Sequence, residues 1–372
     1  MTVSSVDLEL EHLPRLPESR DAPIGIIGAG FIAADIQLVA YKDAGFNVEA
    51  IASRTPRNAQ LVAERHGIPR THATWRELLD DERLEVIDIA FPPDQQPEII
   101  AEAARRPHIK GILAQKPLAA DYASALRAVE SCEGGPLLSV NQNMRYDQSM
   151  RALKTLLDRG VLGEPVLATI EMRAIPHWQD FLRGGDRLTL QNMSIHHIDI
   201  FRHLFGDPEG IYVSARRDPR TDFDHVDGIC LYVLEYADGM RAAAWDDVWT
   251  GPVREGSEGD VYIKWRVEGL DGLAWGTIGW PSYPERRPST LRFATKRQPG
   301  YVMEPRWPEV WFPDAFQGTM GQLLGALQGE PLALPAEDNL TTMALVEAGY
   351  RSLAERRLVT LDEIIGRTTQ PA

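Results

Sequence analysis

A glycine-rich segment, Gly28-Ala29-Gly30-Phe31-Ile32-Ala33, follows the apolar run Ile24–Ile27 near the start of the chain. The pattern from Asp35 to Lys42 then predicts a helix. Gly28 permits a sharp turn, Gly30 leaves room for a pyrophosphate near the backbone, and Ala33 allows close packing of helix on strand. A strand, a Gly-x-Gly-x-x-Ala segment and a helix together predict a dinucleotide-binding site at a helix N-terminus. A glycine turn in another kind of α/β protein is the alternative.

Short apolar runs alternate with helical patterns between residues 24 and 140. This alternation predicts an α/β fold with a doubly wound parallel sheet, which binds ligands beyond the carboxyl ends of its strands. Strand-like segments dominate from about residue 145 to about residue 300, and two further helices follow. We therefore expect an N-terminal extension over residues 1–22, a dinucleotide-binding domain over residues 23–145 and an α+β domain over residues 146–372.

Individual elements can be assigned from apolar periodicity and from turn residues. In the first domain, we expect strands at residues 24–27, 48–52, 86–90, 111–114 and 137–140, and helices at 35–42, 58–66, 96–105 and 119–131. In the second domain, we expect helices at 148–157, 192–206, 316–327 and 339–354, and hairpins that join 229–236 to 240–249 and 261–267 to 273–280.

The formal net charge of −15 argues against nucleic acid or an anionic membrane surface as a partner. No apolar run is long enough to span a bilayer, and the acidic segment near the start is unlike a secretory signal. The two cysteines, Cys132 and Cys230, cannot by themselves build a disulfide framework or a cysteine metal site. A soluble cytoplasmic protein is therefore expected.

Ser53 and Arg54 follow the second predicted strand, about twenty residues after the glycines. An acidic residue there would hold the ribose 2′-hydroxyl group of NAD, whereas a hydroxyl beside a guanidinium suits a 2′-phosphate. Arg57 supplies a second cation nearby in sequence. The sequence therefore favours NADP, with NAD as the alternative. A surface arginine without a cofactor role is the other interpretation of Arg54.

Lysine is scarce in this chain, which carries 39 basic residues but lysine only at positions 42, 110, 116, 154, 264 and 296. Lys116 follows the strand predicted at 111–114, so it stands at the carboxyl edge of the sheet, where a nicotinamide would lie. Oxidation of an alcohol carbon requires a base, and a lysine serves only if burial or positive charge lowers its pKa. A solvated lysine that ends a strand is the alternative.

The helix predicted from Asn192 carries a polar stripe, because Asn192, His196, Asp199 and His203 recur at helical spacing. A solvated helix face is the ordinary explanation of such a stripe. Two imidazoles and a carboxylate would also permit a metal site, but no further ligand cluster accompanies them. We therefore expect no metal.

Several modest motifs occur in a fixed order between residues 23 and 365. They are Gly28–Ala33, Ser53-Arg54, Phe91-Pro92-Pro93, Lys116-Pro117, Asn143-Met144-Arg145-Tyr146-Asp147, Ile195-His196-x-x-Asp199 and Ala348-Gly349-Tyr350-Arg351-Ser352. As an ordered set, they resemble the glucose–fructose oxidoreductase and inositol dehydrogenase family, written Gfo/Idh/MocA.

The resemblance implies a Rossmann domain followed by a large open, mainly antiparallel sheet, which binds substrate and pairs subunits into homodimers or homotetramers. It implies that Lys116 and His196 flank the reacting carbon, one orienting the hydroxyl group and the other relaying its proton. It also implies that the Lys116–Pro117 peptide bond is cis.

The expected cofactor site combines the residues above with those that the resemblance adds: Gly28, Gly30, Phe31, Ile32, Ser53, Arg54, Arg57, Phe91, Pro92, Gln96, Gln115 and Lys116. The expected substrate site consists of Lys116, Arg145, Tyr146, Arg173, His177, Trp178, Asn192 and His196. Among these, His177 and Trp178 are expected to set specificity, because their segment enters the second domain where a pocket would lie.

Three positions depart from the family pattern. Gln115 replaces the usual glutamate before the lysine, Asn192 replaces the usual aspartate before the histidine, and Gln96 replaces a common histidine after the Pro-Pro turn. Because neutral amides stand where carboxylates would stabilise a lysinium, we expect Lys116 to be a readier base near neutral pH. His197 is expected to be structural, with a role as secondary donor as the alternative.

These features predict an NAD(P)-dependent dehydrogenase or reductase of a sugar, sugar derivative or polyol. Two alternatives remain at this point. One is a glycosidase or lyase that retains NAD and oxidises its sugar transiently, and the other is a non-catalytic NADP-binding sensor. Retention of Lys116 and His196 argues against the sensor, whereas loss of the neighbouring acids favours it.

Overall fold

Two β-sheets, each covered by helices, make up the fold in the computed structural model, which describes residues 9–173, 180–247 and 255–366. The first sheet is wholly parallel and contains β1 (Ile24–Ile27), β2 (Val48–Ala52), β3 (Arg70–His72), β4 (Val86–Ile89), β5 (Gly111–Ala114) and β6 (Leu137–Val140). Its strand order, β3-β2-β1-β4-β5-β6, reverses between β1 and β4. A ligand crevice therefore opens beyond the carboxyl ends of these two strands.

Helices cover both faces of the first sheet. They are α1 (Leu38–Ala44), α2 (Pro56–His66), α3 (Trp75–Leu79), α4 (Gln96–Ala104) and α5 (Tyr122–Glu130). The next helices in the chain are α6 (Gln148–Asp158) and α7 (Ile195–Phe205), followed by α8 (Ala315–Leu327). Although it lies far along the chain, α8 covers part of one face of the first sheet. Phe316 and Leu323 of α8 pack in one core with Ile26 and Leu113 of the parallel strands. The second part of the chain is thereby fixed to the first.

The second sheet has eight strands and is mainly antiparallel. It contains β7 (Pro165–Arg173), β8 (Gly210–Arg216), β9 (Ile229–Glu235), β10 (Arg241–Asp247), β11 (Tyr262–Gly269), β12 (Gly272–Ile278), β13 (Thr290–Thr295) and β14 (Val359–Thr360). Its order is β13-β12-β11-β7-β10-β9-β8-β14, and only β7 and β10 pair in parallel among these strands. The predicted fold class, a doubly wound parallel sheet with a large open antiparallel sheet, is confirmed.

The two faces of the second sheet differ in what covers them. Alternate residues such as Ala242, Ala244 and Asp246 are buried on the inner face, which packs beneath α6, α7 and the long helix α9 (Ala336–Glu355). The outer face carries exposed apolar side chains. A final short helix, α10 (Asp362–Ile365), follows β14. Among the residues described, none of the helices combines the length and the hydropathy that a bilayer crossing requires.

Most predicted elements occur within a few residues of their expected bounds. The hairpin of residues 229–236 with 240–249 is confirmed as the β9–β10 pair over the described residues, and that of 261–267 with 273–280 as β11–β12. The clearest difference lies in β7, a central strand that was expected only as part of a strand-rich region. In the predicted extension, Leu16 lies beside Gly321 of α8, and Ser19 exchanges two hydrogen bonds with Gln328, the residue after that helix.

Candidate active site

The glycine-rich loop leaves β1 with a geometry that only small residues permit. Gly28 has φ +127°, and a Cβ there would lie 2.4 Å from the carbonyl oxygen of Ala90. A Cβ on Gly30 would meet nothing within 4 Å, so the loop presents open backbone. A π-helical turn, Ile32–Gln37, then leads into α1. A tight turn, open backbone and a helix N-terminus fit the phosphates of a dinucleotide.

Phe31 is 41% exposed, and its ring meets that of Tyr283 edge-on with centroids 5.5 Å apart. This aromatic pair bridges the glycine loop and a segment of the second part of the chain. Ile32 is half-buried at the start of the π turn. Both residues therefore lie in the turn that follows β1, and their contact with a cofactor stays a prediction.

Ser53, Arg54 and Arg57 follow β2 at the edge of the same crevice. The two arginines are exposed, and the Arg54 guanidinium lies 5.9 Å from the centroid of the Phe91 ring. Phe91 and Pro92 follow β4, the neighbour of β1 at the switch point. The structure thus brings Arg54 and Phe91 together from the ends of two strands.

Lys116 stands two residues beyond β5, and its peptide bond to Pro117 is cis, which confirms that prediction. Its Nζ donates a 2.5 Å hydrogen bond to the backbone carbonyl oxygen of Asn192. Burial lowers the pKa of Lys116 to about 7, because a poorly hydrated ammonium loses stability relative to the neutral amine. An amine with this pKa can both accept and donate a proton near neutrality.

Gln96 holds the turn that carries Lys116. Its Nε2 donates to the carbonyl oxygens of Gln115 (3.1 Å) and Pro117 (2.9 Å), and its Oε1 accepts from the Gln115 N–H (2.7 Å). The Gln96 side chain is fully buried beneath the turn. The structure therefore corrects its predicted cofactor contact: both ends of the amide serve the backbone around the lysine. Gln115 contributes its backbone to this arrangement.

The helix that bears His196 begins irregularly. A π-helical turn, Leu190–Ser194, precedes the regular turns of α7. Asn192 belongs to this π turn, so it does not share the regular α-helical spacing that the sequence indicates. Its contribution to the site is the peptide carbonyl that meets Lys116. The crevice-side helix after Gly30 also starts with a π turn, and such turns are frequent at functional sites.

His196 is 4% exposed at the start of α7. Burial lowers its pKa well below the usual value, and the charges of Lys116 and His197 lower it further. The ring packs edge-on against Trp311, whose Nε1 donates to Asn143 Oδ1 at 3.0 Å. His196 is thus a neutral imidazole, held by an anchored indole and close enough to Lys116 to be influenced by its charge.

The guanidinium group of Arg145 forms ion pairs with two carboxylates. Its Nε and Nη2 donate to the two oxygens of Asp199, each at 2.7 Å, and Nη2 also reaches Asp338 at 2.9 Å. Arg202 binds the other oxygen of Asp338 at 2.9 Å. Two arginines and two aspartates thus lock α7 and α9 to the loop after β6. The geometry gives Arg145 a positioning role, while its contact with substrate stays a prediction.

Tyr146 also serves packing. The residue is 7% exposed, and a Cβ on Gly318 of α8 would lie 2.2 Å from its ring. The Arg151 guanidinium lies 5.6 Å from the ring centroid on α6. A ring enclosed in this way supports the junction of α6 and α8, while its contact with substrate stays a prediction.

Arg173 ends β7 on the outer face of the second sheet. Its register partner is Asp247, whereas the inward-facing Met172 pairs with the buried Asp246. Its Nε donates to the Tyr262 hydroxyl at 3.2 Å. The side chain therefore points away from α7 and His196, which corrects its predicted substrate contact. His177 and Trp178 lie outside the described residues.

Three features of the site were not predicted from the sequence. The acceptor of the Lys116 hydrogen bond is a backbone carbonyl, which no pattern of side chains can indicate. The ring of Trp311 against His196 comes from a distant loop. The buried carboxylate of Asp246 contacts His197 at the start of α7. Over the described ranges, no group of three or more histidine, cysteine, aspartate or glutamate side chains is placed to hold a metal ion.

The Gln96 amide generates a first prediction. Gln96→Ala would remove the Oε1 acceptor and the Nε2 donor that bond to the backbone around Lys116. Each buried backbone group left without a partner lowers the free energy of unfolding by about 1–3 kcal/mol. We expect a lower melting temperature and a kcat reduced by about 10- to 100-fold, because the lysine shifts relative to substrate. Thermal unfolding and steady-state kinetics measure both effects.

The matched control is Gln322→Ala. Gln322 makes a similar set of bonds, accepting from the N–H groups of Ala333 and Leu334 and donating to the Thr319 carbonyl, away from Lys116. The Gln322→Ala variant should be less stable than the wild type. Its kcat, calculated per folded molecule, should change little. Equal losses of kcat in the two variants would contradict the positioning role of Gln96.

Comparisons with known proteins agree with this geometry. Residues 23–141 match the model of the GFO/IDH/MocA oxidoreductase family with its NAD-binding Rossmann fold, and residues 150–267 match the GFO/IDH/MocA C-terminal domain. D-apiose dehydrogenase of Rhizobium rhizogenes is 26% identical, over 91% of this chain and 97% of its own. Inositol 2-dehydrogenase of Rhizobium meliloti is 25% identical, over 91% and 98%.

A solved structure shares the whole fold. An oxidoreductase from Agrobacterium radiobacter, crystallised in complex with NAD+, L-tartaric acid and magnesium, superposes with a TM-score of 0.78. The two chains are 24% identical, and the match covers 92% of this chain and 99% of the other. With two consecutive domain models matched and a shared architecture from end to end, this chain belongs to the GFO/IDH/MocA family of oxidoreductases.

Proposed function

We propose that the protein transfers a hydride between a nicotinamide cofactor and a hydroxyl-bearing carbon of a sugar, sugar derivative or polyol. The observation that carries this proposal is the meeting of two proton-handling groups. Lys116 comes from the parallel sheet and His196 from the helix on the second sheet, and the lysine bonds to the peptide carbonyl of Asn192, four residues before the histidine. The names of the two relatives, a sugar dehydrogenase and an inositol dehydrogenase, support the substrate class.

The proton chemistry follows from the pKa values of the two groups. When bound, the nicotinamide cofactor accepts the hydride in oxidation and returns it in reduction. Lys116 in its neutral form accepts the proton of the substrate hydroxyl group, and its pKa of about 7 makes that form abundant at neutral pH. His196, neutral because of burial and nearby charge, orients the hydroxyl group by hydrogen bonding. Asn192 and Trp311 keep the two groups in register.

The alternatives that the sequence left open find no counterpart among the relatives described above, which are named as dehydrogenases. The direct test is to assay the purified protein with a panel of sugars, sugar lactones and inositols, each with NAD(H) and with NADP(H). We expect reduction or oxidation of the cofactor with at least one member of the panel. A lyase or glycosidase would turn over substrate without added cofactor, and this outcome would contradict the proposal.

Lys116→Arg provides the second prediction. Arginine keeps its charge at every accessible pH, so it cannot accept the hydroxyl proton, and kcat/KM should fall by about 10²- to 10⁴-fold. In the wild type, kcat/KM for oxidation should rise with pH through about 7, as the lowered pKa of Lys116 requires. The reduction direction should weaken over the same range, because it needs the protonated amine.

Lys110→Arg is the matched control, since Lys110 precedes the same strand and its ammonium pairs with Glu85 at 3.1 Å. This exposed variant should retain wild-type kinetics. Activity of the Lys116→Arg variant within tenfold of the wild type, or a profile that is flat through neutrality, would exclude Lys116 as the base.

For the cofactor, we infer a preference for NADP over NAD. Ser53, Arg54 and Arg57 follow β2 without an acidic side chain among them, and both guanidinium groups are exposed at the crevice. A 2′-phosphate would receive charge-assisted hydrogen bonds there, each contributing about 1.5–3 kcal/mol. The acidic residue that usually binds the ribose 2′-hydroxyl group of NAD is also missing from this segment.

Arg54→Ala tests this preference and forms the third prediction. We expect kcat/KM with NADP to fall by about 10- to 100-fold, while the value with NAD changes little, because only NADP carries the 2′-phosphate. Arg105→Ala, which removes another exposed guanidinium on the same domain, should leave both values unchanged. An equal fall with both cofactors would refute phosphate recognition by Arg54.

The outer face of the second sheet supports a homodimer or homotetramer. Trp245 of β10 is 53% exposed and pairs in register with Leu231 of β9. Val233, which is also on β9, pairs with Tyr212 of β8. All four belong to adjacent strands and are exposed, so they form a continuous apolar patch that water solvates poorly. A second copy of the chain would cover this patch by an isologous contact.

The fourth prediction concerns this face. The wild type should sediment as a dimer or larger oligomer, and Trp245→Asp should shift it toward the monomer, because a desolvated carboxylate opposes the contact. Tyr301→Asp, which alters an exposed apolar residue outside the sheet strands, should not. Analytical ultracentrifugation measures the distribution, and a monomeric wild type would contradict the assignment of the face.

We further propose a cytoplasmic location for the enzyme. Cys132 and Cys230 are both free and buried. Unpaired thiols and a nicotinamide-dependent reaction suit a reducing compartment. Cell fractionation with an antibody against the chain tests the location, and recovery outside the cytoplasmic fraction would contradict it.

A further inference from the structure

A carboxyl group is buried in the apolar layer between the first sheet and its helices. Asp88 is the third residue of β4, and its register partners are Ile26 of β1 and Leu113 of β5. Both partners pack in one core with Phe316 of α8, and Asp88 itself is 0% exposed. A carboxyl group in such surroundings loses hydration free energy unless hydrogen-bond donors replace the water. Packing alone would therefore not place an aspartate here.

The donors that replace the water come from the helix after the glycine-rich loop. Gln37 Nε2 and the Tyr41 hydroxyl each donate a 2.7 Å hydrogen bond to Oδ2 of Asp88. Gln37 Nε2 also donates to the Tyr41 oxygen at 3.4 Å, and both side chains are fully buried. Asp88, Gln37 and Tyr41 thus bond to each other as a set, the Asp88 cluster, which joins β4 to this helix.

The Asp88 cluster lies where the helix changes its geometry. Gln37 is the last residue of the π-helical turn Ile32–Gln37, whereas Tyr41 belongs to the regular helix α1. A π turn contains one residue more than an α turn, so it rotates the side chains that follow by about 100°. Residues four apart share one face of a helix. Because Gln37 and Tyr41 both bond to one oxygen, Asp88 fixes the rotation of the helix at the end of the π turn.

The same strand also contacts the start of the glycine-rich loop. Two residues beyond Asp88, the carbonyl oxygen of Ala90 lies 2.4 Å from the place that a Cβ on Gly28 would take. The carbonyl oxygen of Gly30 then accepts a 2.8 Å hydrogen bond from the Ala34 N–H, within the first turn of the helix. The open backbone of this loop is therefore fixed to β4 on both sides, by a backbone contact at Ala90 and by a side chain at Asp88.

We infer that Asp88 is a positioning residue for the dinucleotide, which acts through Gln37 and Tyr41 on the helix N-terminus that receives the phosphates. Backbone N–H groups at a helix N-terminus bind phosphate only when they point at it, and hydrogen bonds weaken steeply with distance and angle. The inference rests on the dinucleotide site of the proposed function. It is independent of the substrate and of the preference for NADP.

The hydrogen bonds of the Asp88 cluster identify the informative substitutions. Burial raises the pKa of Asp88 to about 7, although the bonds from Tyr41 and Gln37 oppose this shift. Among the described residues, Oδ1 of Asp88 and Oε1 of Gln37 have no hydrogen-bond partner. A proton on Oδ1 therefore leaves both bonds to Oδ2 in place, and Asp88→Asn should preserve them in the same way. Asp88→Leu, of similar size, removes the acceptor of both bonds.

The test is a fluorescence titration of the full chain with NADPH and with NADH, without substrate. For each cofactor that binds the wild type, Asp88→Leu should raise Kd by about 10- to 100-fold, because hydrogen bonds to the charged phosphates are lost. Asp88→Asn should keep Kd close to the wild-type value. An unchanged Kd in folded Asp88→Leu, or an Asp88→Asn variant as weak as Asp88→Leu, would overturn the inference.

Asp81→Asn is the matched control for the loss of a buried carboxylate in the same domain. Asp81 is 8% exposed and accepts hydrogen bonds from Arg70 at 3.0 Å and from Arg83 at 2.7 Å. It precedes β4, so it lies at the amino ends of the strands, opposite the cofactor crevice. This variant should be less stable than the wild type and bind both cofactors unchanged. Equal rises of Kd in Asp81→Asn and Asp88→Leu would contradict a positioning role.

Two further measurements keep the inference testable if Asp88→Leu does not fold. Gln37→Leu removes a donor of the Asp88 cluster, and an unchanged cofactor Kd in this variant would overturn the inference. Hydrogen exchange of residues 28–41 in the free protein should be faster in Gln37→Leu than in Asp81→Asn, and equal rates would contradict it. Failure of the sugar panel with intact NADPH binding would refute only the proposed function, whereas an unchanged Kd in Gln37→Leu would refute only the role of Asp88.

Discussion

A lysine that emerges from a buried parallel strand and ends against a peptide carbonyl is the interaction on which this active site depends. Burial withholds water from the Lys116 ammonium, and the hydrogen bond that it makes in the structure goes to the uncharged carbonyl of Asn192. A carboxylate in that place would pin the amine in its charged form. The neutral acceptor leaves the proton mobile near pH 7, and the hydrogen bond also links the turn after β5 to the turn before α7.

The surrounding structure holds this weak contact in place. Gln96 fixes the turn from below, and Trp311 packs against His196 on the other side. The Arg145–Asp199 ion pair ties α7 to the loop after β6, with Asp338 and Arg202 balancing its charge. Buried ion pairs stabilise little by themselves, but breaking one leaves a costly unpaired charge. Such a cluster therefore specifies the relative position of the two parts more than it adds to stability.

The sequence predicted the elements with strong local signals and missed those that depend on distant partners. Strands 111–114 and 137–140 have their predicted bounds, because continuous apolar runs mark strands buried on both faces. The helix after Gly30 starts earlier than the pattern indicated, since its first turn is π-helical. The motifs predicted Lys116 and His196, which come from distant parts of the chain and lie close enough for the lysine charge to influence the imidazole. Gln96 was misassigned in role, because a backbone-bound amide looks in sequence like a ligand contact. The packing of α8 on the first sheet has no local signature at all.

Direct titration of the Lys116 amine tests the central claim. Carbon-13 labelling of the lysine ε-carbons gives few resonances in a chain so poor in lysine, and substitution assigns the one that matters. We expect a midpoint near 7 for Lys116 in the wild type, because burial disfavours the charged ammonium. A wild-type midpoint near the ordinary value of about 10.4 would contradict this claim.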